Sequence, residues 1–448
     1  MKRVAVALSA SLVALATSLA PNALSEPGHP AVQRPIPNPD RAARTPVARG
    51  VAARATATTS RSAICASLRS RLRRGGTASG LFVTDAESGK AVCRTHGRAL
   101  RIPASNMKLF TTATALARFG PDQRLNTSIS SSGDVDANGV LHGNLYLVGG
   151  GDPALASPAF SRRFLGGFGT DLFGLTDAVR QAGIKRVSGR LYADDTIFDR
   201  VRGVADSGYR TSPYIGPLSG LDYDSGYADD NARHFASNPP IVAATALAAD
   251  LNSSGVEIPT SVSLRAAPAD AHEIGEVSSP QMKALTNETD VFSNNFFAEM
   301  LLKDLGAHFG SGGTTAAGIL VVRNFVRGLG TGVQQIDGSG LTRGNRVTPA
   351  QVARLLVAMR KTPAGGDFVD SLPVAGREGT VADRMRGTAA AGRCHTKTGT
   401  ITGVSALSGY CFNRDGHVMA FSILMNRVSD LAQAHLQQDR MAALIARY

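Results

Sequence analysis

The sequence predicts a mixed α/β (α+β) protein in which helices flank an antiparallel sheet and a further α/β region is inserted into the chain. Three observations lead to this reading. Near the start, a helical stretch at residues 63–73 precedes two strand-like runs, 80–84 and 91–94, joined through Glu87-Ser88-Gly89. At the end come a second hairpin, another strand-like run at 418–425 and an amphipathic helix at 430–446. Between them, over about 125–275, short strands (145–148, 187–193) alternate with helices (172–181, 243–252), the pattern of a separately folded insertion.

The remaining segments follow in chain order. Met1 to Arg3 supply a positive start and residues 4–20 are apolar and small, so 1–25 is expected to be a secretory signal peptide. A membrane anchor needs about 20 strongly apolar residues, and this run is mostly Ala, Val, Leu and Ser. Export followed by cleavage therefore leaves no transmembrane anchor. Residues 26–62, rich in Pro, Ala, Thr and Arg with no apolar period, are expected to be a flexible basic linker. The rest exceeds the usual size of one hydrophobic core. We expect a main domain built from 63–124 and 276–448, with 125–275 inserted into it. In the main domain, Pro103 ahead and Gly120-Pro121 behind delimit a helix at 105–119. Further helices are expected at 296–305, 316–329 and 349–360. The last helix is expected to pack on the sheet through Leu431, Leu436, Met441, Leu444 and Ile445.

The formal charge is +13. Export and the lack of any basic–aromatic motif argue against nucleic acid as a partner. Anionic cell-wall polymers suit the charge, and so does plain solubility; the charge alone leaves both open. The four cysteines fit an oxidising compartment. With Thr402-Gly403 as the turn of the second hairpin, Ile401 stands opposite Val404 and, counting outward, Cys394 opposite Cys411. That register predicts a cross-strand disulfide and leaves Cys65 to pair with Cys93.

Three short motifs carry the chemistry: Ser105-Asn106-Met107-Lys108, Ser293-Asn294-Asn295, and Lys397-Thr398-Gly399-Thr400. Singly each is common; together, in this order, on a helix start, an inter-helix loop and a near-terminal strand, they form the S-x-x-K, S-x-N and K-T-G set of penicillin-binding proteins and serine β-lactamases. Residues three apart on a helix share a face, so Lys108 is placed to accept the proton of the Ser105 hydroxyl. For that its pKa must fall, and a second ammonium, Lys397, drives the fall by repulsion. At an effective dielectric of about 20 and a separation of about 4 Å the repulsion is on the order of 4 kcal/mol, roughly three pK units. Desolvation acts in the same direction. The backbone N–H groups of Ser105 and Thr400 suit an oxyanion. Ser293 suits a proton relay to the leaving amine, Asn295 the acyl-side peptide, and Lys397, Thr398 and Thr400 a terminal carboxylate, with Gly399 inside the same motif.

From 63 to its end the chain resembles the D-alanyl-D-alanine carboxypeptidase/endopeptidase family of the penicillin-binding protein 4 type. Beyond the three motifs, Gly149-Gly150-Gly151-Asp152-Pro153, the run from Ser293 to Glu299, and Asp337-Gly338-Ser339-Gly340-Leu341 followed by Asn345-Arg346-Val347-Thr348-Pro349 resemble family segments. The resemblance implies a β-lactamase/transpeptidase-like domain, a penicillin-sensitive acyl-enzyme, peptidoglycan stem peptides as substrate, β-lactams as inhibitors, a cell-envelope location and no cofactor. Family members carry the middle motif most often as Ser-Asp-Asn; here Asn294 removes one carboxylate. Arg343 matches a family position that can meet an acid on the substrate's side chain. A serine β-lactamase is the nearest alternative, but no Glu-x-x-Leu-Asn pattern supplies its deacylating carboxylate. A zinc peptidase lacks its ligand spacings. A non-catalytic wall-binding or penicillin-sensing module has no need of an activated nucleophile.

Overall fold

The computed structural model describes residues 60–413 and 416–448. The expected signal peptide and nearly all of the expected linker lie outside the described residues. The chain opens with α1 (Arg61–Leu72), β1 (Ala78–Asp85), β2 (Ala91–Thr95) and α2 (Lys108–Phe119). It continues with β3 (Asn126–Ser132), β4 (Val140–Leu141), β5 (Asn144–Val148), α3 (Pro158–Phe164), α4 (Gly174–Gln181), β6 (Arg186–Val187), β7 (Leu191–Asp194), α5 (Pro239–Ser253), β8 (Ser263–Leu264) and β9 (His272–Ser278). Then follow α6 (Met282–Val291), α7 (Asn295–Phe309), α8 (Thr315–Gly328), α9 (Pro349–Met359), α10 (Gly365–Asp370), β10 (Cys394–Ile401), β11 (Val404–Phe412), β12 (Val418–Asn426) and α11 (Leu431–Ile445).

The strands from the two ends of the chain form one five-stranded antiparallel sheet in the order β10-β11-β12-β1-β2. Side chains of a strand alternate between faces, and here the alternation feeds two cores. Leu407, Phe421 and Ile423 point to one face with Ile64 and Leu68 of α1 and Met441 of α11. Ala406, Ala420 and Leu424 point to the other with Phe110 of α2 and Leu355 and Leu356 of α9. Both faces being covered, β11 and β12 are buried along almost their whole length and show no alternation of apolar with polar residues. β10 is left as the edge strand; its first residues pair with the segment 373–375, Ala375 N donating to the Cys394 carbonyl oxygen and Thr396 N to the Pro373 carbonyl oxygen, both at 2.9 Å, and the edge beyond them is open to other contacts.

The middle of the chain builds a second sheet, β8-β7-β5-β3-β9, with antiparallel pairing at β3 and parallel pairing from β5 through β7 to β8. Leu175 and Val179 of α4 and Leu247 and Leu251 of α5 close its own core with Ile129, Leu145, Leu147 and Leu191.

The register of the late hairpin is the one counted from its turn: Ile401 faces Val404 and Cys394 faces Cys411. Cys394–Cys411 and Cys65–Cys93 are both disulfide-bonded. Three local expectations need correction. The strand expected at 187–193 is two strands in different sheets, because Gly189 passes so close to Gly143 that a Cβ there would lie 2.2 Å from the Gly143 carbonyl oxygen, and the chain bends. The helix expected from 105 begins as a single 3₁₀ turn, Ala104–Met107, with Ala104 at φ 47, and turns α-helical only at Lys108. On α11, Met441 and Ile445 are buried, but Leu431 and Leu436 are exposed, and Gln437 and Gln438 take inward positions instead; Gln438 Nε2 donates to Ser405 Oγ at 3.0 Å.

One buried contact joins the Gly-rich segment after β5 to α7. Asp304 of α7 has neither carboxylate oxygen hydrogen-bonded, and Gly151, at φ 82, presses on it so closely that a Cβ would lie 1.9 Å from Oδ1. Burial pushes Asp304 well above the usual carboxylate range and its neighbour Asp152 up to about 6. A carboxyl that holds its proton only when folded stabilises the fold fully below the unfolded pKa of about 4, and that contribution is lost as pH rises through the folded value. Asp304→Asn is therefore expected to flatten the fall of stability with rising pH by up to about 1.4 kcal/mol per pH unit above about pH 4. Chemical denaturation across a buffer series measures it.

Candidate active site

The 3₁₀ turn carrying Ser105 lies between the open edge of β10 and the loop 337–341. Gly399 allows the approach on the strand side: a Cβ there would stand 2.8 Å from the Pro103 carbonyl oxygen and 2.9 Å from the Ser105 nitrogen. Gly340, at φ 91, allows it on the loop side, where a Cβ would lie 2.0 Å from the Ala104 carbonyl oxygen. Asn106 ties the turn to the strand by donating from Nδ2 to the Lys397 carbonyl oxygen at 2.9 Å.

Lys108 opens α2 one turn beyond Ser105 and is fully buried. Its Nζ donates to Ser105 Oγ at 3.2 Å, to Asn295 Oδ1 at 2.6 Å and to the Ser339 carbonyl oxygen at 2.9 Å. Burial pushes its pKa well down, the Lys397 ammonium pushes it further, and Glu299, Asp337 and Asp290 pull the other way. Desolvation, and not the second ammonium, is the larger cause. Lys397, likewise fully buried, donates to Ser293 Oγ at 2.9 Å and is lowered by burial to about 8. The two lysines thus each hold one serine hydroxyl, and Asn295 sits against the first.

Ser293 lies in the left-handed region, φ 59, in the tight link between α6 and α7. The next residue explains the departure in the middle motif. Asn294 caps α7, its Oδ1 accepting from Phe297 N at 3.2 Å, while its Nδ2 donates to Glu288 Oε1 at 3.3 Å. Asp and Asn cap helices equally well. Asp at 294 would set a second carboxylate on buried Glu288, which burial already pushes up to about 7; the amide donates where an acid would repel.

The loop after α8 is held by acids that the three motifs do not contain. Glu299, one turn beyond Asn295 on α7, accepts from Gly338 N at 2.9 Å and Ser339 N at 2.7 Å. Asp337 accepts from Gly340 N at 2.8 Å, Thr342 N at 2.6 Å and Asn345 Nδ2 at 2.8 Å. These bonds aim the Ser339 carbonyl at Lys108. The i,i+4 spacing of Asn295 and Glu299 was visible in the sequence; their shared loop was not. Asn295 also donates from Nδ2 to the carbonyl oxygen of Tyr214, which comes from the segment between β7 and α5, so its amide is oriented from both sides.

The other expected residues lie around this centre. Thr398 Oγ1 hydrogen-bonds to Thr380 Oγ1 at 2.9 Å, and Thr400 is exposed on the β10 edge. Arg343 is exposed beyond the loop, donating to the Thr402 carbonyl oxygen at the hairpin tip at 2.8 Å. Among the described residues no group of His, Cys, Asp and Glu is arranged to hold a metal ion.

The model of the D-Ala-D-Ala carboxypeptidase 3 (S13) family matches residues 65–237 and 228–448. The chain belongs to that family. Among its S13 relatives, a D-alanyl-D-alanine carboxypeptidase of Actinomadura sp. (strain R39) is 32% identical over 83% of this chain and 82% of its own length. The S13 fold is shared with the crystal structure of penicillin binding protein 4 (dacB) from Haemophilus influenzae, at a TM-score of 0.71 and 20% identity, covering 85% of this chain and 99% of that one. The same Haemophilus protein complexed with a β-lactam superposes at a TM-score of 0.68, with 18% identity and the same coverage.

Because Gly399 lets the β10 edge lie against Ser105, Gly399→Ala must displace strand or turn. We expect penicillin acylation to fall on the order of a hundredfold, as misplacements near 1 Å do, with the thermal midpoint little changed. Stopped-flow acylation alongside thermal unfolding checks it.

Proposed function

We propose that this S13 enzyme is exported and that Ser105 is the nucleophile that cleaves the D-alanyl-D-alanine bond of peptidoglycan stem peptides, with Lys108 as its base. The observation that carries the reading is the 3.2 Å contact between Ser105 Oγ and the fully buried Lys108 Nζ. An ammonium whose pKa is driven down by burial spends part of its time as a neutral amine, and a neutral amine takes the hydroxyl proton as Oγ attacks the carbonyl carbon. The tetrahedral oxyanion is stabilised by the N–H groups of Ser105 and Thr400. Ser293 Oγ then passes its proton to the leaving D-alanine nitrogen and is resupplied by Lys397, whose value near 8 suits a group that gives and regains a proton near neutrality. Water hydrolyses the resulting ester of Ser105. The same acyl-enzyme serves D,D-endopeptidase cleavage when the leaving amine belongs to a cross-link, and a β-lactam enters by the same attack.

Asn295 holds the acyl-side peptide, while Lys397, Thr398, Gly399 and Thr400 receive the terminal carboxylate, and Arg343 meets an acid on the stem peptide's side chain. The signal-peptide pattern of 1–25 supports export. An inserted domain at 125–275 between two parts of a main domain, 63–124 and 276–448, accounts for a chain whose first sheet draws its strands from both ends. No helix of the described residues is long and apolar enough to cross a membrane.

Labelling with a fluorescent penicillin tests the assignment. Ser105→Ala is expected to abolish the covalent adduct, and peptide mapping of the wild type to place it on Ser105. Lys108→Arg keeps a cation but not a titratable amine, and is expected to slow acylation at least about a hundredfold while leaving the fold intact. Acylation of Lys108→Arg at the wild-type rate would assign the base elsewhere.

A further inference from the structure

The two site lysines are both fully buried, yet the chemistry asks opposite things of them: Lys108 must lose its proton readily and Lys397 must keep one to hand on. Three acids are buried around them. Two are already committed: Glu299 to the N–H groups of Gly338 and Ser339, and Asp337 to Gly340, Thr342 and Asn345. The third, Asp290, is different. It stands at the end of α6, three residues before Ser293, with no exposure to solvent, and belongs to none of the sequence motifs. One of its oxygens, Oδ1, has no hydrogen-bond partner; the other accepts from Ser371 Oγ at 3.3 Å. The Thr112 hydroxyl, one turn beyond Lys108 on the same face of α2, lies against it, and Ser293, three residues on, holds the Lys397 ammonium at 2.9 Å; the positive charges of Lys397 and Lys108 both favour its ionised form.

We infer that Asp290 is a positioning residue for the reaction: the buried counter-ion that keeps Lys397 charged beside Ser293 and thereby sets the division of charge between the two lysines. This rests on the serine–lysine reading of the site. The groups around it leave the task to this carboxylate. The cations it acts on, Lys108 of α2 and Lys397 of β10, lie beyond ion-pair contact, and after α10 it meets only the Ser371 hydroxyl, since Asp370 is exposed; α7 and the loop after α8 present Glu299 and Asp337, held by the loop's N–H groups and the Asn345 amide. A buried carboxylate, while ionised, stabilises an ammonium near it more than an exposed acid does; burial pushes Asp290 up to about 6, so it carries its charge above that pH. Asp290 touches neither Ser105 nor the substrate's reacting atoms; it acts through Lys397 and, more weakly, Lys108.

The consequence is a pH profile. Acylation rises as Lys108 loses its proton and falls as Lys397 loses its own, so the rate is bell-shaped. Removing the carboxylate lowers both lysine pKa values, so the whole bell moves toward acid. The test is the pH dependence of acylation by a chromogenic cephalosporin in the full-length enzyme, comparing wild type, Asp290→Asn and Asp290→Glu, with thermal unfolding of each. Asp290→Asn is expected to shift the alkaline limb down by at least about one pH unit, with the acid limb following by less, and Asp290→Glu to restore the wild-type limbs. Folded Asp290→Asn with unshifted limbs would overturn the inference. If Asp290→Asn fails to fold, a folded Asp290→Glu with wild-type limbs supports a need for charge at this position, and failure of both variants to fold overturns it in favour of a packing role. Absence of acylation in the wild type, or its persistence in Ser105→Ala, would instead overturn the serine–lysine reading itself.

Discussion

Two lysine side chains buried in one pocket are the constraint on which the rest of this structure depends. Taking an ammonium out of water costs several kcal/mol, and here two are removed from water around one pair of serine hydroxyls. The surroundings offset that cost in different ways. Lys108 finds three oxygen acceptors, from α2's own 3₁₀ turn, from α7 and from the loop after α8, and its low pKa reduces the time it is charged at all. Lys397 finds Ser293 and its neighbour's carbonyl, with Asp290 as the nearby anion. The burial that makes the site expensive to fold is also the largest cause lowering both lysine pKa values.

Such a pocket has to be assembled from distant parts of the chain, and the fold shows how. The central antiparallel sheet uses strands from both ends, so the β10 edge carrying Lys397 comes to lie beside a turn nearly three hundred residues earlier in the chain; the Asn106 bond to the Lys397 carbonyl spans 291 positions. Glycine is required where backbones meet at Ser105, at 340 and 399, because any Cβ would strike the turn. The middle of the chain also reaches the centre. The Tyr214 carbonyl fixes one end of the Asn295 amide, which makes the segment between β7 and α5 part of the site's scaffold as well as part of a separate sheet and its connections.

Buried acids recur throughout. Asp290, Glu299 and Asp337 surround the lysines, while Asp152 and Asp304 are both buried where the Gly-rich segment meets α7. The two groups meet different needs. Around the lysines the carboxylates balance charge and orient a loop; at Asp304 the acid is kept neutral, since neither oxygen has a donor and its neighbour is another acid. Helix α7 carries both kinds, with Glu299 toward the site and Asp304 toward Gly151, and so links the catalytic pocket to the second sheet.

The sequence by itself determined that Ser105 and Lys108 meet, because S-x-x-K at a helix start is a local geometry: three residues of backbone bring the groups to one face whatever the rest of the chain does. It determined the hairpin register and the Cys394–Cys411 pairing for the same reason, since a two-residue turn fixes every partner outward from it. The succession of helical and strand-like runs carried the mixed fold, and the family resemblance its transpeptidase-like domain. Tertiary structure alone decided which acids surround the lysines. Asp290 reads as an ordinary polar residue near a helix end, and nothing in its neighbours tells that it will be sealed between α2, α6 and Ser371. It alone decided that Ser105 sits on a 3₁₀ turn, that 187–193 is split between sheets and that Leu431 and Leu436 face solvent, because each outcome depends on a backbone or side chain far away in sequence. Local spacing brought Ser105 and Lys108 together; the electrostatic setting around them required the whole chain to close.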